Sequence, residues 1–289
     1  MILLILPALP PGFEPVLPAA DARRIPRPQP RSRSGRPIAG SLAVAVILGS
    51  AAFAQSHEPE CMPSIDSTPA AADQTEAQRP LADWAGLERY RDEDAAVPPA
   101  SSKLPRVIFL GDSITEAWEL ADAAVIAGEV LNRGIGGQTT PQMLVRFRQD
   151  VIDLKPAVVH IMAGTNDIAG NTGPTTLAAI EDNLMSMVEL AQANHIRVVL
   201  ASLPPTTDFG WRHGLQPAGK IVALNNWIRS YAARQGLIYV DYHAALADAR
   251  QGFKAALSDD GVHPNKAGYA AMNPLAQQAI KRAMHGLQP

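Results

Sequence analysis

Short apolar runs alternate with helical periodicities along the chain from Pro105 onward. The runs at 106–110, 129–132, 157–162, 197–202 and 237–240 are β-branched or apolar, and several are continuous rather than alternating. Continuous apolarity marks a strand covered on both faces, as in a parallel sheet flanked by helices. The clearest helix lies between them at 175–194, where Leu177, Ile180, Leu184, Val188 and Ala191 recur on one face. Further helices are expected at about 115–127, 140–154 and 218–235. A last one follows Pro264 and Asn265 and runs to about residue 285, with a kink or restart at Pro274. Upstream, Trp84, Leu87 and Tyr90 are spaced for a short amphipathic helix within 83–96, with Trp84 expected in the core. Five strands with intervening helices predict an α/β fold: a three-layer α/β/α sandwich around a five-stranded parallel sheet. Right-handed crossovers restrict its topology, and ligands should bind outside the carboxyl ends of the strands, near the switch point.

The first 80 residues follow a different pattern. Residues 1–30 are Pro-rich. Residues 31–54 then carry a basic stretch, an apolar run from 42 to 53, and Ala52-Phe53-Ala54 before Gln55. That is the order of a secretory signal peptide, and the run is too short for a stable membrane anchor. We expect translation to begin near residues 25–35, with a mature periplasmic or secreted protein starting at Gln55. Residues 55–80, rich in Pro, Ala, Ser, Thr and Glu, read as a linker. The catalytic domain is expected over 81–289.

Composition narrows the function classes. The chain carries 25 Lys and Arg against 28 Asp and Glu, a net charge of −3. Six Arg and two acids fall within residues 1–54, which leaves the remainder at −7. An acidic body gives no electrostatic footing for nucleic acid. Cys61 is the single cysteine, so no internal disulfide forms; the charged residues before it do not suit lipid attachment.

Candidate chemistry lies at the strand ends. Gly111-Asp112-Ser113 follows the first strand, but alone it reads equally as a helix cap. Near the C-terminus, Ser258-Asp259-Asp260-Gly261-Val262-His263-Pro264 sets a carboxylate three residues before a histidine. A serine hydroxyl needs a base within hydrogen-bond reach, and the base needs a partner that fixes its tautomer. Asp260 and His263 supply both on one turn. The segments Asn132-Arg133-Gly134-Ile135-Gly136-Gly137-Gln138-Thr139 and Ala163-Gly164-Thr165-Asn166-Asp167 follow the second and third strands. The Gly137 N–H and the Asn166 amide are donors suited to a developing oxyanion. Asp167 is expected to brace its loop rather than react.

Gly-Asp-Ser-Ile-Thr, Gly-Gly-Gln-Thr, Gly-Thr-Asn-Asp and Asp-Gly-Val-His-Pro, in that order, resemble the SGNH hydrolase superfamily of GDSL-type esterases and lipases. The likeness covers about residues 83–286. It implies a flavodoxin-like fold, with Ser113 as nucleophile, His263 as base and Asp260 orienting the base. The Ser113 N–H, the Gly137 N–H and the Asn166 amide would form the oxyanion hole, and no metal or organic cofactor would be required.

Competing motifs are absent or incomplete. Gly134-Ile135-Gly136 lacks the third glycine of a dinucleotide-binding turn, Thr115 replaces the second glycine of a G-x-S-x-G elbow, and neither Walker A nor H-E-x-x-H occurs. His160, inside an apolar strand, is expected to be a satisfied core residue, and His195 to be exposed. The 204–217 loop carries Phe209, Trp211, Arg212 and His213 toward the site, which makes Phe209, Trp211 and Arg212 candidate substrate contacts. The expected substrate is a small-molecule or carbohydrate ester with a short acyl group, acetyl above all. Lysophospholipid or acyl-thioester hydrolysis is the alternative within the same superfamily, and a non-catalytic carbohydrate-binding module built on this scaffold the alternative of a different functional class.

Overall fold

A computed structural model describes residues 82–118, except 102, and 129–285. The signal-like segment and the linker lie outside the described residues, as does most of the helix expected at 115–127.

The five expected strands form one parallel sheet. They are β1 (Arg106–Gly111), β2 (Glu129–Gly134), β3 (Val158–Met162), β4 (Arg197–Ala201) and β5 (Ile238–Val240), in the order β2-β1-β3-β4-β5. This is the doubly wound order whose switch point falls between β1 and β3. In register, Val107 pairs with Val130 on one side and Val158 on the other. Every residue of β1 and β3 is buried, which explains their unbroken apolar runs.

Alternate residues of each strand feed opposite cores. Ile108, Leu110, Val159 and Ile161 pack with Met143, Phe147, Ile180, Leu184, Leu224 and Ile228. Val107, Phe109, Val158 and Met162 pack on the other face with Trp118, Tyr242, Met272, Ala276 and Ile280. The period-two alternation of a strand is thus satisfied by a helix layer on each side.

The helices, in chain order, are α1 (Arg91–Ala96), α2 (Ser113–Glu116), α3 (Thr140–Phe147), α4 (Thr165–Ala169), α5 (Leu177–Ala193), α6 (Ala218–Gln235), α7 (Tyr242–Leu246) and α8 (Lys266–Met284). A wider helical turn, Arg148–Ile152, continues α3. Side-chain caps set the starts of α5 and α8: Thr176 Oγ1 accepts Ala179 N–H at 3.1 Å, and Asn265 Oδ1 accepts Ala267 N–H at 3.0 Å.

One expectation is narrowed and one fails. α8 runs through Pro274 as one element, without a restart. Its buried stripe of Tyr269, Met272, Ala276, Ala279, Ile280 and Ala283 holds it against the sheet on both sides of the proline, so packing outweighs the lost hydrogen bond. Trp84, expected in the core, is 45% exposed; Ala85 and Tyr90 are the buried anchors of that segment. Only the last turns there, Arg91–Ala96, form a regular helix of any length.

His160 is fully buried as expected but only half satisfied, since no partner meets its Nδ1 among the described residues. Its Nε2 lies 2.9 Å from Tyr242 Oη, and its ring stacks on Phe109 at 4.5 Å between centroids. Burial lowers its pKa to about 3, so the ring stays neutral inside the fold. His195 is exposed.

Candidate active site

The carboxyl end of β1 turns directly into α2, and Asp112 makes that turn. Its Oδ1 accepts Ile114 N–H at 3.0 Å, the N-cap bond anticipated for this segment, and leaves Ser113 as the first helical residue. Asp112 is 2% exposed. Burial raises its pKa to about 6, against the opposing pull of the Ile114 N–H and the charge of His263.

His263 arrives from the loop before α8. Its Nε2 lies 2.9 Å from Ser113 Oγ, and its Nδ1 lies 2.7 Å from Asp260 Oδ2. The Asp260 turn is built locally. Asp260 Oδ1 accepts the N–H groups of Val262 at 2.9 Å and His263 at 2.8 Å, while Gly261 takes φ +77°, a conformation that favours glycine. Ser258 Oγ accepts Gly261 N–H at 2.9 Å and donates to Asp260 Oδ1 at 3.1 Å. Partial burial pushes the Asp260 carboxyl up, but the His263 side chain and these backbone donors outweigh it and hold the pKa at about 2. Buried Val262 and the Tyr269 hydroxyl, which donates to Ile114 O at 2.7 Å, secure the loop and α8 against α2.

The glycine-rich turn after β2 packs against α2 from the other side. At Gly134, an added Cβ would sit 2.1 Å from the Glu116 nitrogen, so only glycine lets β2 and α2 approach this closely. Glu116 Oε2 accepts Gly136 N–H at 2.9 Å. Gly137 takes φ +75°. Among the described residues no acceptor meets the N–H of Gly137 or of Ser113. Gly137 is exposed and Ser113 half-buried, so both N–H groups are open to an incoming acceptor at the sheet edge.

Asn166 lies on α4, at the end of β3. Its Nδ2 donates to Gln138 O at 3.1 Å and lies 3.4 Å from Asp112 Oδ2. The second bond is the longer of the two, so an incoming oxyanion would compete with Asp112 for that hydrogen. Asp167 braces the loops as expected: its carboxylate accepts Thr140 N–H at 2.9 Å and Thr140 Oγ1–H at 2.6 Å. Gln138 is fixed in turn by the fully buried Arg146, whose Nε donates to Gln138 Oε1 at 2.6 Å while Nη1 pairs with Asp150 at 2.9 Å.

Ser113, Gly137, Asn166, Asp260 and His263 are thus brought together at the carboxyl edge of the sheet. The three aromatic-loop candidates separate. Trp211 is half exposed, with its ring 6.4 Å from that of His263. Phe209 is fully buried beneath it, 5.1 Å away ring to ring, and belongs to the core with Leu203, Ile221 and Leu224. Arg212 donates from Nη1 to Ala169 O at 2.9 Å and Gly170 O at 2.7 Å, capping the last carbonyls of α4. Phe209 is therefore withdrawn from the surface and supports the loop from beneath, while Arg212, exposed, ties the loop to α4.

Sequence reasoning missed Asp112 as a buried charge, Glu116 and Asn171. None sits in a spacing that announces a role; Asn171 simply follows the Gly170 turn. Ser113 and His263 line a cleft of about 870 Å³ that runs along β2, walled by Arg89, Glu116, Asn132, Arg133, Val97 and Leu131 among others. Among the described residues, no three His, Cys, Asp or Glu side chains cluster to hold a metal ion, and no helix is long and apolar enough to cross a membrane.

Several known proteins are similar to this chain. The model of the GDSL-like Lipase/Acylhydrolase family matches residues 109–271. The crystal structure of a GDSL-like lipase from Bacteroides thetaiotaomicron is 40% identical, with TM-score 0.67, covering 69% of this chain and 99% of that one. An acetylxylan esterase of Geobacillus stearothermophilus is 26% identical over 200 residues, 57% of this chain and 88% of its own length. The lipoprotein YqeF of Bacillus subtilis, an uncharacterized protein, is 37% identical over 90 residues; the match spans 30% of this chain and 37% of that protein.

Proposed function

The chain belongs to the GDSL-like Lipase/Acylhydrolase family and is a carboxylic ester hydrolase, and from that premise we propose an exported serine esterase that removes acetyl groups from carbohydrate. The observation that carries the catalytic part is the unbroken relay from Asp260 Oδ2 to His263 Nδ1 at 2.7 Å and from His263 Nε2 to Ser113 Oγ at 2.9 Å.

In this reading Ser113 Oγ attacks the ester carbonyl carbon as His263 Nε2 takes its proton. Asp260, with its pKa held at about 2, is ionised throughout the working range and stabilises the imidazolium. The carbonyl oxygen becomes an oxyanion facing the unpaired N–H groups of Ser113 and Gly137 and the Asn166 amide. Each such donor is worth about 3–4 kcal/mol in the transition state. Collapse expels the alcohol, which leaves with the proton from Nε2. Water then attacks the acyl-enzyme, giving its proton to Nε2, and Ser113 recovers that proton as the acid departs.

Three features favour acetylated carbohydrate. Trp211 offers an exposed indole beside His263, suited to stacking on a sugar ring. Arg89, Glu116, Asn132 and Arg133 give polar walls to the cleft that Ser113 lines. One relative is an acetylxylan esterase. Export is supported by the basic, apolar and Ala-Phe-Ala segments at 31–54 and by a relative described as a lipoprotein.

Ser113→Ala is expected to abolish hydrolysis of p-nitrophenyl acetate and labelling by a fluorophosphonate while the protein stays folded; near-normal turnover would overturn the assignment. Rates on acetyl, butyryl and octanoyl esters and on acetylated xylan test the substrate. A strong octanoyl preference would sink the deacetylation reading and favour acyl-thioester or lysophospholipid hydrolysis. Export is tested by sequencing the secreted protein, where Gln55 is the expected first residue.

A further inference from the structure

Asn171 lies outside every sequence block that marks the site, and its carboxamide is committed at each polar position. Nδ2 donates to Asn166 Oδ1 at 2.9 Å and to Gly137 O at 3.1 Å, while Oδ1 accepts the indole N–H of Trp211 at 3.1 Å. One exposed side chain therefore touches two of the three proposed oxyanion donors and the aromatic at the mouth of the site.

These bonds constrain what each partner can do. A donor at Asn166 Oδ1 decides the orientation of that carboxamide: the oxygen must face Asn171, so Nδ2 faces Gln138 O, Asp112 and the nucleophile side. The bond to Gly137 O fixes the peptide that follows a glycine with φ +75°, where few steric limits act on the backbone. Trp211 in turn fixes Asn171, because an acceptor at the indole N–H must be an oxygen and not the amide nitrogen. Phe209, buried beneath the Trp211 ring, keeps the indole from swinging away.

We infer that Asn171 is the positioning residue of the oxyanion hole: it locks Asn166 in donating geometry and holds the turn that carries Gly137, and Trp211 locks it. The inference rests on the proposed role of Asn166 and Gly137. It also makes Trp211 more than a platform, since a substrate that stacks on its ring would steady the residue holding the donors.

Asn171→Ala is a mild change on the surface and should leave the thermal midpoint close to that of the parent protein. It should lower kcat for p-nitrophenyl acetate about tenfold with KM nearly unchanged, a smaller loss than the roughly 10²–10³ expected on deleting a donor outright by Asn166→Ala. Fluorophosphonate labelling of Ser113 should slow by a similar factor. In the Asn166→Ala background the same substitution should have less than about a threefold effect, because the main group it orients is gone and only its bond to Gly137 O remains. Trp211→Phe keeps the ring and removes the N–H, so it should lower kcat severalfold without raising KM for acetylated xylan.

Parental kcat in Asn171→Ala, or an undiminished tenfold loss in the Asn166→Ala background, overturns the inference. Parental kcat in Trp211→Phe removes the lock on Asn171. Turnover that survives Ser113→Ala overturns the esterase assignment itself, so the two failures are told apart.

Discussion

Asp260 Oδ2 meets His263 Nδ1 at 2.7 Å across a turn of only two intervening residues, while Asp260 Oδ1 holds the backbone N–H groups of Val262 and His263. The carboxylate therefore shapes the loop with one oxygen and orients the imidazole with the other. In Asp260→Asn, the amide oxygen can keep the backbone bonds, but the NH₂ group then faces Nδ1 and forces the proton onto Nε2. A protonated Nε2 donates to Ser113 instead of accepting its proton. The expected result is a kcat lower by about 10³–10⁴ with the loop intact; activity within tenfold of the parent would exclude this role for Asp260.

Asp112 predicts a trade between stability and turnover. The fold raises its pKa to about 6 from an ordinary 3.8, mainly by burial. The protonated carboxyl therefore contributes stability that is complete below about pH 4 and is lost as pH rises through about 6. Asp112→Asn keeps an acceptor for Ile114 N–H and cannot ionise. It should be more stable than the parent at pH 8, by an amount on the order of 1–3 kcal/mol, with the gain vanishing near pH 4. The same variant should lose about tenfold in kcat at pH 8, because a negative charge near the His263 imidazolium is gone. Urea denaturation at the two pH values and steady-state kinetics check both halves.

Gly134 and Gly137 should respond differently to alanine. At Gly134 the added Cβ would fall 2.1 Å from the Glu116 nitrogen, so α2 and the nucleophile must be displaced. A loss of about 3 kcal/mol or more in stability, with activity abolished, is expected. At Gly137 the nearest atom to an added Cβ is Asn171 Nδ2 at 3.9 Å, and the cost comes from φ +75° alone. That is about 1–2 kcal/mol. Equal effects on unfolding midpoints would contradict the close packing of β2 on α2.

Phe209 and Trp211 are two residues apart and should separate in the same way. Phe209→Ala opens a cavity in the core and should cost about 3–5 kcal/mol. Trp211→Ala removes a half-exposed ring and should change stability by less than about 1 kcal/mol. Its effect should appear in turnover, with a raised KM for acetylated xylan. A large stability loss in Trp211→Ala would reassign that ring to the scaffold.

The sequence alone carried the sheet and most of its helices, because periods of two and of 3.6 residues are written locally and burial on both faces leaves continuous apolar runs. It also carried the Asp260–His263 pair, whose partners are three residues apart and whose turn is built from its own backbone. At Pro274 local propensity argued for a kink or a restart, and the packed stripe of α8 carries the helix through without a restart. Trp84 misled: its spacing fitted a core, yet Ala85 and Tyr90 took the buried positions. The meeting of Ser113 with His263, 150 residues apart, was decided only by the strand order that brings both loops to one sheet edge. The loop side chains were decided there too. Which of Phe209, Trp211 and Arg212 turns inward, and that Asn171 spans Asn166, Gly137 and Trp211, depends on contacts across the fold. No periodicity records such contacts, because an irregular loop has no repeating face to which a side chain is bound.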